Sequence, residues 1–147
     1  MPKGKKRIAQ KASPKVDKPG GIVSESPEVI VDFVFNEGLL FISIRNIRNE
    51  PALKVSIRFD QRMKGLGGNK EISALPLFRN IEFLAPNKEI TTFLDSSSSY
   101  FARGEPTKIS ALISYQDTSG NKYTVTISHD LEIYREIGYI KRLAPEA

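Results

Sequence analysis

Val29-Ile30-Val31-Asp32-Phe33-Val34-Phe35-Asn36-Glu37-Gly38-Leu39-Leu40-Phe41-Ile42-Ser43-Ile44-Arg45-Asn46 decides between helix and strand. Val29, Val31, Phe33 and Phe35 alternate with Ile30, Asp32, Val34 and Asn36, which gives a strand with one strongly apolar face. Asn36-Glu37-Gly38 reads as a turn, and Leu40, Ile42 and Ile44 resume as the apolar face of a second strand. Asn46 to Pro51 is a loop, because asparagine tolerates turn conformations and proline cannot donate to a ladder.

The same alternation spreads outward. Leu53, Val55, Ile57 and Phe59 point one way and Lys54, Ser56, Arg58 and Asp60 the other, so a third strand has one buried and one wet face. Gln61 to Asn69, with Gly65, Gly67 and Gly68, reads as a flexible connection. Ile81 to Leu84 and Glu89 to Leu94 are two strands hinged at Ala85-Pro86-Asn87, and Ser96 to Ser99 is a polar link. Lys108 to Tyr115 and Lys122 to Ser128 form a hairpin across Asp117-Thr118-Ser119-Gly120-Asn121, where the late glycine suits a left-handed position. No helix is expected before residue 130. Beyond it, Leu131, Tyr134, Arg135 and Gly138 fit a helical stripe capped by Asp130, while Leu131 and Ile133 fit a continued strand equally well. About seven short strands with regular turn signals predict an all-β fold, an immunoglobulin-like antiparallel β-sandwich.

Three turns carry a resemblance. Ile44 to Val55, with its asparagine, short loop, Pro51-Ala52 and valine, resembles the turn between the second and third strands of immunoglobulin-like modules of the CARDB kind. Phe83-Leu84-Ala85-Pro86-Asn87-Lys88-Glu89 is similar to their Leu-x-Pro-Gly-Glu turn, with Asn87 where glycine is usual. Asparagine also enters the left-handed region. Ile113 to Asp117, Gly120 and Tyr123 are similar to the closing hairpin. The likeness covers roughly residues 28–130 and implies a fold used for adhesion, spacing and binding, with no catalytic residue to carry over.

At 147 residues the chain has room for one ordinary domain and a tail. Its 39% apolar and 27% charged residues place it on the globular side of the boundary with disorder. The net charge of +5 is concentrated at one end. Lys3, Lys5, Lys6, Arg7, Lys11, Lys15 and Lys18 face Asp17 alone in the first 21 residues, so the remainder is nearly neutral. The expected organisation is a disordered basic arm and linker over 1–26, the sandwich over 27–140 and a short tail over 141–147. Seven bases without interleaved aromatics suit phosphate neutralisation by a flexible chain and offer nothing for base stacking. They are the candidate contact for nucleic acid or another polyanion.

Catalytic sets are absent from the sequence pattern. Zero cysteines remove disulfides, thiolate chemistry and Cys-based metal sites. The lone histidine, His129, adjoins Asp130, but neighbouring strand residues point to opposite faces, so a structural role is expected. None of Ser96 to Ser99 lies in a Gly-x-Ser-x-Gly elbow. Gly65 to Lys70 lacks the spacing of a phosphate loop. Asp60, Asp95, Asp117 and Asp130 fall at different strand ends, so no metal or other cofactor is expected. Arg58, Arg62, Lys64 and Lys70 form a second basic rim, either solvated or a contact for an anionic partner. Tyr100, Phe101 and Arg103 read as a lid over the sandwich end or as an exposed partner contact. The expected function is non-enzymatic: a cytoplasmic binding or assembly module with a macromolecular, foremost a protein, partner. The alternative is nonspecific polyanion binding through the arm. Oligomeric state is left open.

Overall fold

The computed structural model describes residues 26–137. The predicted basic arm and the final tail lie outside the described residues, apart from Ser26 at the arm's end. Six long strands, β1 (Val29–Asn36), β2 (Leu39–Asn46), β3 (Ala52–Phe59), β7 (Glu89–Ser96), β8 (Lys108–Gln116) and β9 (Lys122–Asp130), and the shorter β6 (Ile81–Leu84) are accompanied by a small ribbon of β4 (Lys64–Gly65) and β5 (Lys70–Glu71), two residues each. The described residues also form two short helices, α1 (Pro76–Arg79) and α2 (Ser97–Ala102), and three 3-10 turns. One sheet has the order β1-β2-β7, the other β6-β3-β8-β9, and every pairing between long strands is antiparallel. The chain crosses between sheets after β2, β6 and β7, giving an all-β sandwich of the immunoglobulin-like kind.

The core lies between the sheets. Val29, Val31 and Phe33 of β1 and Leu40, Ile42 and Ile44 of β2 meet Val55 and Ile57 of β3 and Ile109, Ala111 and Ile113 of β8. The period-two reading of these strands therefore holds. It fails at the start of β3, where a bulge between Leu53 and Ser56 places Lys54 at φ 53°. Ala52 is buried in consequence and Leu53 is only half-buried. The turns follow their chemistry. Glu37 and Gly38 have φ of 51° and 82°, Asn87 has 61°, and Gly120 has 87°. Asn46, fully buried, ties the β2–β3 loop together. Its amide donates to the carbonyls of Glu50 (2.7 Å) and Leu84 (3.3 Å), and its Oδ1 accepts from the Arg48 N–H (3.2 Å).

The segment between β3 and β6 corrects the expectation of a flexible loop. Met63, Ile72 and Phe78 from this excursion are buried in the core, and Phe78 meets Phe59 edge-on at 5.0 Å. The serine run also differs from the link expected of it. Ser96 caps α2 by accepting from the Ser99 N–H at 3.2 Å. The described residues beyond β9, 131–137, neither continue as a strand nor form a full helix. A single 3-10 turn, Leu131–Tyr134, is capped by Asp130 and buries Leu131.

Candidate partner-contact surface

β2 is apolar on both faces. Leu40, Ile42 and Ile44 point into the sandwich, and Leu39 and Phe41 occupy the opposite phase on the outer face of the three-stranded sheet. Phe41 pairs across the ladder with Phe93 of β7, their rings edge-on with centroids 5.6 Å apart. Val34 of β1 stands opposite Phe41 on the other side. Leu39 and Phe93 remain 39% and 36% exposed. Below this patch the face turns polar: Ser43 donates to Glu89 at 2.5 Å, and Arg45 is exposed beside it. An apolar centre with a polar margin is the composition of a contact surface. The signal was present in Leu39-Leu40-Phe41, whose unbroken apolar run marks a strand with two apolar faces.

The expected contact residues Tyr100, Phe101 and Arg103 are brought together, but as internal structure. Tyr100 is fully buried on α2, and its hydroxyl donates to the Pro106 carbonyl at 2.6 Å. Burial pushes its phenol pKa up, with Glu105 adding to the effect. Tyr100 is therefore the lid over the core and presents no surface to a partner. Phe101 is half-buried under the Arg135 guanidinium, 4.6 Å above its ring. Arg103 is the centre of a polar cluster. Its guanidinium donates to Asp95 (2.7 Å), Ser99 Oγ (2.7 Å), Glu105 (3.1 Å) and the Lys64 carbonyl (2.8 Å). A register slip in β7 opposite Leu40 and Phe41 makes this possible, because Leu94 and Asp95 are then both buried. Asp95 also accepts from the Gly67 N–H.

The second basic rim is only partly assembled. Lys64 and Glu71 are paired across the ribbon, Lys70 stands beside them, and Arg62 reaches Glu71 at 3.7 Å. Arg58 stands apart on the outer face of β3, opposite Leu112. Acidic Glu71 and Glu105 dilute the charge, since the Lys64 N–H itself donates to Glu105. The candidate arm residues Lys3 to Lys18 lie outside the described residues.

His129 and Asp130 diverge as strand neighbours should. The His129 ring faces inward, edge-on to Phe33 at 5.0 Å, with Nε2 2.9 Å from the Val31 carbonyl. Asp130 faces out and accepts from the Glu132 N–H. A shallow depression of about 380 Å³ beside them is lined by Asp60, Lys108, Ser110, Ser128 and Asp130. Asp60 already accepts from the Ser110 N–H, and Ser110 and Ser128 bond each other. Among the described residues no group of three or more His, Asp or Glu side chains could hold a metal ion. No helix among them is long and apolar enough to cross a membrane.

The chain belongs to the family described as Domain of unknown function (DUF8453), whose model matches residues 22–135. That span takes in both sheets of the sandwich and stops at the turn after β9. No curated protein and no solved structure matches the chain.

Proposed function

We propose that this protein is a non-catalytic, immunoglobulin-like binding module that docks a protein partner on the outer face of its three-stranded sheet. The patch of exposed Leu39 and Phe93 around half-buried Phe41 carries the reading. Aromatic side chains at the centre of an interface supply large contact area at low entropic cost, and a polar margin excludes water around them. The resemblance of its turns to modules of the CARDB kind supports the same role, and a cysteine-free chain suits the reducing cytoplasm. The test is photo-crosslinking in the protein's own cells, from a benzophenone side chain placed at Thr91 beside the patch. A discrete protein adduct should form, and the double variant Phe41→Ser/Phe93→Ser should lose it while keeping its circular dichroism and melting temperature. An adduct that survives the double variant rejects the patch, and no adduct at all rejects the module.

A second reading rests on the sequence alone: the +6 charge of residues 1–21 suits a polyanion, nucleic acid foremost. It is independent of the patch, and truncation separates the two.

A further inference from the structure

A two-sheet sandwich has four edges, and an uncovered strand edge is a template for another strand. Three of the four are guarded here. β1 has its edge carbonyls occupied: Val31 O lies 2.9 Å from His129 Nε2, and Phe33 O accepts from the Tyr134 hydroxyl at 3.0 Å. β7 is broken by its register slip and overlaid by the loop at Gly65, whose backbone lies so close that an added Cβ would sit 2.0 Å from the Leu94 carbonyl oxygen. β6 is only four residues long.

β9 is different. It runs nine residues, pairs with β8 in unbroken register and contains no proline. Among the described residues no hydrogen bond reaches its backbone from the side away from β8. Which of its groups face that open side follows from the two ends of the ladder. Leu131 N–H donates to Thr107 O, and Asp117 N–H donates to Asn121 O, so the odd-numbered residues of this strand turn their backbone groups toward β8. Lys122, Thr124, Thr126, Ser128 and Asp130 therefore turn theirs outward, because successive residues alternate. The half-buried Tyr123, Val125, Ile127 and His129 line the inner face of the same edge.

We propose that β9 pairs antiparallel with β9 of a second copy of this chain, about a two-fold axis at Thr126, joining two four-stranded sheets into one of eight. The strand is complementary to itself in this register. Lys122 lies opposite the partner's Asp130, Thr124 opposite the partner's Ser128, and Thr126 opposite its own equivalent, so the outer face carries opposite charges at both ends and hydroxyl pairs between. On the inner face Val125 meets the partner's Ile127, and Tyr123 meets the partner's His129, covering apolar side chains that are half-exposed in one chain. This is the register in which all nine residues overlap and every outward backbone group finds a partner. A two-fold axis makes such a contact closed, so it yields a dimer and leaves no open edge. The interface lies on a different sheet from the patch proposed above and stands or falls separately from it.

The test uses the full chain. Sedimentation equilibrium should show a concentration-dependent dimer, and Thr126→Pro should abolish it. Proline at this position removes an N–H that faces the open edge and spares the β8 ladder. Thr126→Lys, which sets two like charges against each other at the axis, is the second disrupting variant should proline unfold the domain. Lys122→Asp should weaken the dimer, and Lys122→Asp/Asp130→Lys should restore it. Because the chain has no cysteine, Thr126→Cys can form only an intermolecular disulfide. Cross-ladder Cα atoms about 5.5 Å apart permit one, so oxidation should give a covalent dimer. Thr124→Cys, about 13 Å from its own equivalent in this register, should not crosslink. A chain that stays monomeric up to roughly 1 mM overturns the proposal, as does a dimer that survives folded Thr126→Pro or Thr126→Lys variants. Crosslinking at 124 in preference to 126 overturns it as well.

Discussion

Replacing Arg103 by methionine is the sharpest test of how α2 is held. The Arg103 side chain is 24% exposed and that of its partner Asp95 only 6%, so the carboxylate is close to fully desolvated. Methionine keeps most of the stem's apolar contact but removes the donors to Asp95, Ser99, Glu105 and the Lys64 carbonyl. Breaking a buried pair from one side costs about 3–5 kcal/mol, because the remaining charge has neither water nor a counter-ion. Set against a typical stability of about 5–15 kcal/mol, that is a large fraction. At roughly 4 °C per kcal/mol for a domain of this size, the melting temperature should fall by about 12–20 °C. The assay is urea unfolding followed by far-ultraviolet dichroism, since the chain has no tryptophan. Asp95→Asn removes the stranded charge while leaving an acceptor for Gly67. The double variant Arg103→Met/Asp95→Asn should therefore be more stable than Arg103→Met alone, with a coupling of at least about 1 kcal/mol. A cost below about 1 kcal/mol, as for an exposed ion pair, or strict additivity in the cycle, would refute the reasoning and return Arg103 to the free surface.

Ile57→Asp places an unpaired charge at a site 3% exposed and should unfold the domain, whereas Arg58→Ala on the outer face should change stability by less than about 0.5 kcal/mol; equal damage, by thermal melting, would show the facing to be wrong. Burial pushes the Tyr115 and Tyr123 phenols up from 10 to about 12, so the unfolded chain releases these protons first as pH rises. Stability should consequently fall between pH 10 and 12, and Tyr115→Phe/Tyr123→Phe should flatten that fall in melting experiments across the window. If the basic arm contacts phosphates, deleting residues 2–21 should remove most DNA affinity with little change in melting temperature, and the intact protein should show a log–log salt slope of roughly −4 to −6. Equal binding by both forms, measured by titration at several salt concentrations, would sink the polyanion reading.

The strands were legible because their signal is local. Alternation in β1, β2, β8 and β9 needs only the chemistry of neighbouring residues, and so do the left-handed positions at Asn87 and Gly120. The helices were not, because α2 has only six residues, three of them serines, and is held by Arg103 and a buried tyrosine instead of by propensity. Its stability comes from contacts that reach to residues 64 and 95. The same reason explains Leu53: a bulge set by pairing with β8 overrode its alternation. It also explains Tyr100, whose burial depends on which sandwich end α2 closes.

The sequence by itself determined that this protein is a β-domain, which strand faces are apolar, and where most of the turns fall, since each of these follows from residues within a few positions of one another. Only the tertiary structure decided which polar groups are buried, that Leu39, Phe41 and Phe93 gather on one outer face, and that among the described residues β9 is the edge left without a guard. Those facts depend on strands far apart in the chain coming side by side, and the physical terms that settle them are desolvation, register and the reach of single side chains across a sheet.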